Sequence, residues 1–376
     1  MLSRVESIVF RWVARCFSVP FLLVYTFFYI CSFGTLRPTD YLCIMNMNQF
    51  YTTVEMPQRL PRFSQRDRLL LMGSCFATHI GTRLVEAKFA CDVNPYGVLY
   101  NPMSISAALR EAMNGKLYAE KDLYAYEDLW HSPMHHGDFS APSVSEVLER
   151  INTRLKRLHT ELKELDVLVA TWGTAWVYED AETGSIVGNC HKKPERCFRR
   201  RRLAVEEVVN EWLQLLATLR KQNPQIKVLL TVSPIRHLRD GLHANQLSKA
   251  ALLLAADQLV EAMPDVVGYF PAYELLVDEL RDYRFYAADM VHPSEVAVNH
   301  VWQRFCEACL TDEARLVMDE CDAIHKDLSH KPFRPESDGY KNFLEQILLK
   351  IDRLNEKYPY LDFEKERTSC RIRLNK

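Results

Sequence analysis

The sequence carries almost no excess charge of either sign: 47 Lys and Arg stand against 49 Asp and Glu, a formal charge of -2 over 376 residues. That removes any general electrostatic drive toward nucleic acid, and the one basic run, Arg196 to Arg202, is broken by Cys197 and Phe198. No nucleic-acid partner is expected. Internal repeats and low-complexity tracts are absent, and collagen, coiled-coil and mucin-like classes are excluded by composition. Also missing are the phosphate-cradling GxxxxGK[ST] loop, the dinucleotide GxGxxG turn, the HExxH metal helix and the GxSxG elbow, which removes four large enzyme classes from first place. The eleven cysteines are odd in number and irregular in spacing, which points to free thiols and a reducing compartment.

The N-terminus pulls the other way. Cys16 to Leu36 has no charged residue and is dense in Phe, Leu, Val and Tyr, with Arg4, Arg11 and Arg15 just upstream, the pattern of a signal anchor. Pro20 interrupts the run and no small-residue cleavage site follows, while Met45 and Met47 offer later starts. Two expectations stand side by side: a membrane anchor at residues 16–36, or a cytoplasmic chain beginning at Met45 or Met47. The expected division is 1–46 as hydrophobic segment and linker, 47–310 as the main domain and 311–376 as a C-terminal helical extension.

From Leu69 onward, short wholly apolar runs alternate with amphipathic helical patterns. Leu69 to Met72 and Asp166 to Trp172 read as buried strands, the first on both faces, and Phe89 to Val93, Lys227 to Val232 and Val266 to Phe270 read as further strands. Between them, Leu148 to Leu165, Leu203 to Lys221 and Gln246 to Met263 read as helices, the first behind a Ser143-x-x-Glu146 capping box. This order predicts a parallel sheet covered by helices on both faces. In such a sheet the ligand sits beyond the carboxyl ends of the strands, here at Gly73-Ser74-Cys75, Gly173-Thr174 and Ser233-Pro234. Two charged helical stretches, around Glu313 to His330 and Tyr340 to Lys357, make up the appendage.

Ser74 and Cys75 lie where a strand runs through Gly73 into a helix, beside backbone N–H groups and the positive end of the helix dipole. The plain alternative is that Ser74 caps the helix. Three Asp-x-x-His pairs could orient a base: Asp240 with His243, Asp289 with His292, and Asp322 with His325. Position selects Asp289 and His292, just before an amphipathic helix opened by Pro293 and Ser294. Cys306-x-x-Cys309 lies on a predicted helix and reads as structural; His131, His135 and His136 read as a polar loop near the site mouth. No metal and no cofactor is implied.

Gly73-Ser74-Cys75-Phe76-Ala77 resembles the signature of the GSCFA family, which looks like a branch of the SGNH (GDSL-type) hydrolases. The resemblance runs from about Leu69 to Leu310 and includes Asn94-Pro95-Tyr96-Gly97 with Asn101-Pro102, Trp172 to Trp176, Asn189-Cys190-His191 and Asp289 to Pro293. It implies a three-layer α/β/α flavodoxin-like fold. It also implies hydrolysis of a small O-acyl ester, of a carbohydrate or other small molecule, through an acyl-enzyme. Register against Gly-Asp-Ser puts Cys75 at the nucleophile position and Ser74 at the Asp position, leaving Cys75 favoured and Ser74 open. His292 and Asp289 would supply base and acid. The Gly-x-Asn block appears as Gly173-Thr174-Ala175 without its Asn, so the oxyanion donors are sought among Gly97, Gly173, Thr174 and Asn189, with His191, Trp172 and Trp176 lining a substrate pocket. The altered blocks keep a catalytically silent binding module as the alternative.

Overall fold

Five parallel strands carry the molecule: β1 (Arg68–Gly73), β2 (Ala90–Val93) and, further along the chain, β5 (Val167–Trp172), β9 (Lys227–Val232) and β10 (Val267–Phe270), in the spatial order β10-β9-β5-β1-β2. The computed structural model describes residues 52–375, and the expected anchor at residues 16–36 lies outside them. Counting only these five strands, the order is 2-1-3-4-5, the flavodoxin-like arrangement, which reverses direction between β1 and β5. The three inner strands, β1, β5 and β9, are apolar on both faces because each face is covered, whereas β2 lies at the sheet edge and carries Asp92. Alternation sends Leu69 and Leu71 to one side of β1 and Leu70 and Met72 to the other.

On the Leu70 face pack α2 (Pro102–Met113), α3 (Val144–Glu161), α4 (Val205–Gln222) and α5 (Leu242–Ala262). On the Leu71 face pack α1 (Cys75–Glu86) and α6 (Glu295–Cys309). These are the three expected layers. Two small sheets sit outside them: the hairpin β3 (Tyr124–Tyr126) with β4 (Leu129–His131), and the antiparallel set β7-β6-β8, made of β6 (Trp176–Asp180), β7 (Ile186–Val187) and β8 (Phe198–Arg202). The basic run is therefore a strand. Its odd and even residues face opposite ways: Arg199 and Arg201 both reach Glu179, whereas Arg200 lies over Trp176 and Tyr178.

The C-terminal region is helical, as expected, with α7 (Asp312–Ser329), α8 (Asp338–Lys357) and a further helix, α9 (Glu364–Leu374). Val317, Ile324, Leu344, Ile347, Ile351 and Phe363 give it an apolar core of its own. It is also bolted to the α/β body: Gln65 Nε2 donates to the Ala314 carbonyl at 3.0 Å, and Lys88 meets Glu366 at 2.6 Å with its ammonium 4.9 Å above the Phe363 ring. Residues Val54–Lys376 accordingly form one unit. No helix among the described residues is long and apolar enough to cross a membrane.

Candidate active site

The carboxyl end of β1 turns into α1 through Gly73, whose φ of +139° and closeness to β5 admit no side chain: a Cβ there would lie 2.1 Å from the Thr171 carbonyl oxygen. Ser74 follows as the N-cap of α1. Its Oγ accepts from the Phe76 N–H at 3.3 Å, its carbonyl accepts from Ala77 N at 2.8 Å, and the residue is buried. Cys75, the first residue of the helix, is half-buried, and its Sγ lies 3.9 Å from the Tyr100 hydroxyl. The Cys75 N–H has no acceptor among the described residues, as expected for a first-turn donor that the cap does not reach.

Asp289 and His292 are joined in the geometry a base requires. His292 Nδ1 and Asp289 Oδ2 are 2.6 Å apart, while Asp289 Oδ1 accepts from the backbone N–H of both Val291 and His292 at 2.9 Å. These bonds, the backbone N–H of His292 foremost, hold the Asp289 carboxyl well below its ordinary range, at about 2. Ser294 then caps α6. Met290 inside this turn takes φ +58°. His292 lines a cavity of about 540 Å³ shared with Ser74, Cys75, Tyr100, Asn189, His237 and Arg236. It opens at the carboxyl ends of β1, β5 and β9, where the sheet order reverses. No hydrogen bond links His292 to Ser74 or Cys75.

Several expected roles are corrected. The Gly97 N–H is spent on the Asn94 carbonyl at 2.8 Å; this glycine serves a turn with φ +79°, pressed so closely on His136 that a Cβ would sit 2.1 Å from that residue's own Cβ. Gly173 and Thr174 both donate to the Tyr100 carbonyl, at 2.7 and 3.0 Å, so neither N–H is free for an oxyanion. Thr174 Oγ1 faces Ser248 Oγ at 3.1 Å and accepts from Trp176 N. Trp172 lines no pocket: it is fully buried and meets Trp212 edge to face at 5.0 Å. His191 lies against His131 at 4.4 Å between ring centroids, with Nε2 2.8 Å from the Ser132 carbonyl, away from the cavity.

Two expected residues do reach the cavity. Trp176 lines it, and so does Asn189, whose Oδ1 accepts from His191 N while Nδ2 has no acceptor among the described residues. Of the three loop histidines only His136 lines the cavity. His131 and His135 are interior, His135 stacked on Tyr96 at 4.4 Å with Nδ1 2.8 Å from Ser132 Oγ, its basicity pushed down to about 3 by burial. Cys306 and Cys309 are buried free thiols in the α6 core.

Further residues at the site were not assigned a role from the sequence. Tyr100, beside Cys75, has its hydroxyl pushed up to about 12, by burial first and Cys75 next. His237 meets Tyr100 edge to face at 5.7 Å and is pushed down to about 4, mainly by burial, so its ring is neutral at neutral pH. Asp240, passed over as a loop residue, lines the cavity paired with Arg200. Lys249 lies fully buried beneath the floor, its Nζ donating to the carbonyls of Gly173 at 2.6 Å and Ser233 at 2.5 Å.

A model of the GSCFA family matches residues 68–305, from the first residue of β1 into α6. The chain belongs to the GSCFA family. A second model, the C-terminal domain of GSCFA domain proteins, matches residues 321–376 of this GSCFA protein. No curated protein matches it. Among solved structures, an acetyl xylan esterase (Est2A) from the rumen bacterium Butyrivibrio proteoclasticus aligns at 11% identity with a TM-score of 0.32, covering 66% of this chain and 64% of that one. The chain thus spans less than two thirds of that protein, and a likeness so distant carries no argument about what this GSCFA protein does.

Proposed function

We propose that this GSCFA protein is an SGNH-like esterase that removes a small O-acyl group through an acyl-enzyme on Cys75. The observation that carries the reading is one cavity, at the point where the sheet order reverses, lined by both a first-turn thiol and an Asp-oriented imidazole. In the first step the Cys75 sulfur attacks the acyl carbonyl and its proton passes to His292 Nε2, while Asp289 holds the opposite ring nitrogen. The Cys75 N–H and Asn189 Nδ2, both without acceptors among the described residues, are the donors assigned to the oxyanion. Collapse expels the alcohol, which takes the proton from His292. Water then attacks the thioester, giving its proton to His292, and loss of the carboxylic acid restores the thiol.

Ser74 is the second candidate nucleophile, since it lines the same cavity, but its hydroxyl is already the helix cap. The engagement of Gly173 and Thr174 with Tyr100 favours the competing reading of a silent binding module. Aryl-acetate hydrolysis by the purified full chain separates these readings when run beside His292→Ala, Cys75→Ala and Ser74→Ala at matched folding. A fall of about a hundredfold or more in His292→Ala and Cys75→Ala supports the esterase reading. Four equal rates, no higher than the uncatalysed rate, support the binding module.

A further inference from the structure

We propose that the cavity selects esters whose alcohol part carries an anionic group, with Arg236 as the residue that receives it; this rests on the esterase reading and specifies its substrate class. The cavity wall is unusually basic. Arg200, Arg236 and Arg239 line it against a single lining carboxylate, Asp240, with His136 and His237 beside them. Asp240 is taken by Arg200, and Arg239 is paired with the exposed Glu195. Arg236 is half-buried and has no ion pair or hydrogen bond with any described residue. A guanidinium held at a cavity wall without a partner is a ready acceptor for a carboxylate or a phosphate, which its planar fork can meet with two hydrogen bonds.

A second observation supports this. Arg200 Nε and Trp176 Nε1, on the same wall, are buried donors with no protein partner. The wall is stiff, because Arg200 lies 4.6 Å above the Trp176 ring and 5.3 Å from that of Tyr178, while Arg239 lies 5.5 Å from Tyr178. Strand alternation produces it: Arg199 and Arg201 turn to Glu179 on one face of β8, leaving Arg200 on the other with the aromatic rings. Arginines that served only to pin loops would all be paired with acids; Arg236 is not.

The test compares kcat/KM of the full chain for an acetylated glucuronide, an acetylated glucose 6-phosphate and the matching neutral acetylated glucoside. Expected is a preference of about tenfold or more for an anionic ester, shrinking as salt is raised. The larger of the two preferences names carboxylate or phosphate as the group. Arg236→Gln should bring the ratio to near one, Arg236→Lys should keep part of it, and Lys350→Gln, on the distant face of α8, should leave it unaltered. Equal or better use of the neutral ester overturns the proposal while leaving the esterase reading intact. Should no ester be turned over, the esterase reading fails, and calorimetric titration with glucuronate, glucose 6-phosphate and glucose decides the anion question separately. Tighter binding of an anion, lost in Arg236→Gln, supports it; equal binding overturns it.

Discussion

Replacing Lys249 by Met should alter stability in a pH-dependent way whose sign follows from where the amine sits. Its Nζ is sealed beneath the cavity and touches the carbonyls that end β5 and begin the loop after β9, at 2.6 and 2.5 Å. Burial pushes its basicity from 10.5 down to about 7. Between those values the unfolded chain holds a proton that the folded chain has released, so wild-type stability rises with pH across that window. From pH 7 to pH 9 the gain is about 2 kcal/mol, at up to ~1.4 kcal/mol per pH unit. A neutral amine still has two N–H groups for its two carbonyls, so removing it strands both acceptors, at about 1–3 kcal/mol each. The difference in stability between wild type and Lys249→Met should therefore move in favour of wild type by about 2 kcal/mol between pH 7 and pH 9. Denaturant unfolding of both proteins in parallel at pH 7, 8 and 9 measures the gap, and other titrating groups cancel in the difference. Parallel stability curves would refute the reasoning, showing that the two carbonyls keep the ammonium charged throughout.

Further outcomes follow from the same geometry. Asp289→Asn should lower kcat/KM about a hundredfold or more with the fold intact, because one carboxylate oxygen takes two backbone N–H groups and the other the ring nitrogen, so an amide must turn a donor toward one of them; steady-state kinetics with a circular dichroism control reads this. Gly73→Ala should cost at least about 3 kcal/mol, seen as a lowered unfolding midpoint, since the new Cβ meets the Thr171 backbone. The two tryptophans should separate: Trp172→Ala should lower stability by about 3–5 kcal/mol as a core truncation, whereas Trp176→Ala should act chiefly on KM.

The central sheet was legible because its inner strands are apolar on both faces, and short runs such as Val167 to Ala170 admit few other readings. Local geometry was legible too, as with the Ser74 cap and the Asp289–His292 bond, since both join neighbours in sequence. Helix α2 carried a sound start signal, Asn101 as cap with Pro102 at the first position, but its buried Ser104 and Ser106 blur the apolar stripe. Strand β8 hid for a different reason: its arginines alternate between Glu179 and an aromatic face, so the period of two is written in charge and not in hydrophobicity. What could not be read was any property set by distant partners. The Tyr100 carbonyl that consumes the Gly173 and Thr174 N–H groups lies on another loop, as do the rings that bury His135. Trp172 closes β5 and packs against Trp212, whereas Trp176 opens β6 and lines the cavity, a difference set by partners far away in sequence.

The most direct measurement is the position of the acyl group. The full chain would be mixed with an aryl acetate, quenched in acid within the first turnover, digested at low pH and mapped by mass spectrometry. Acetyl on Cys75, absent from His292→Ala at the same time point, is the expected result. Acetyl on Ser74 would move the chemistry to the helix cap, and an unmodified peptide spanning both residues during turnover would contradict the acyl-enzyme itself.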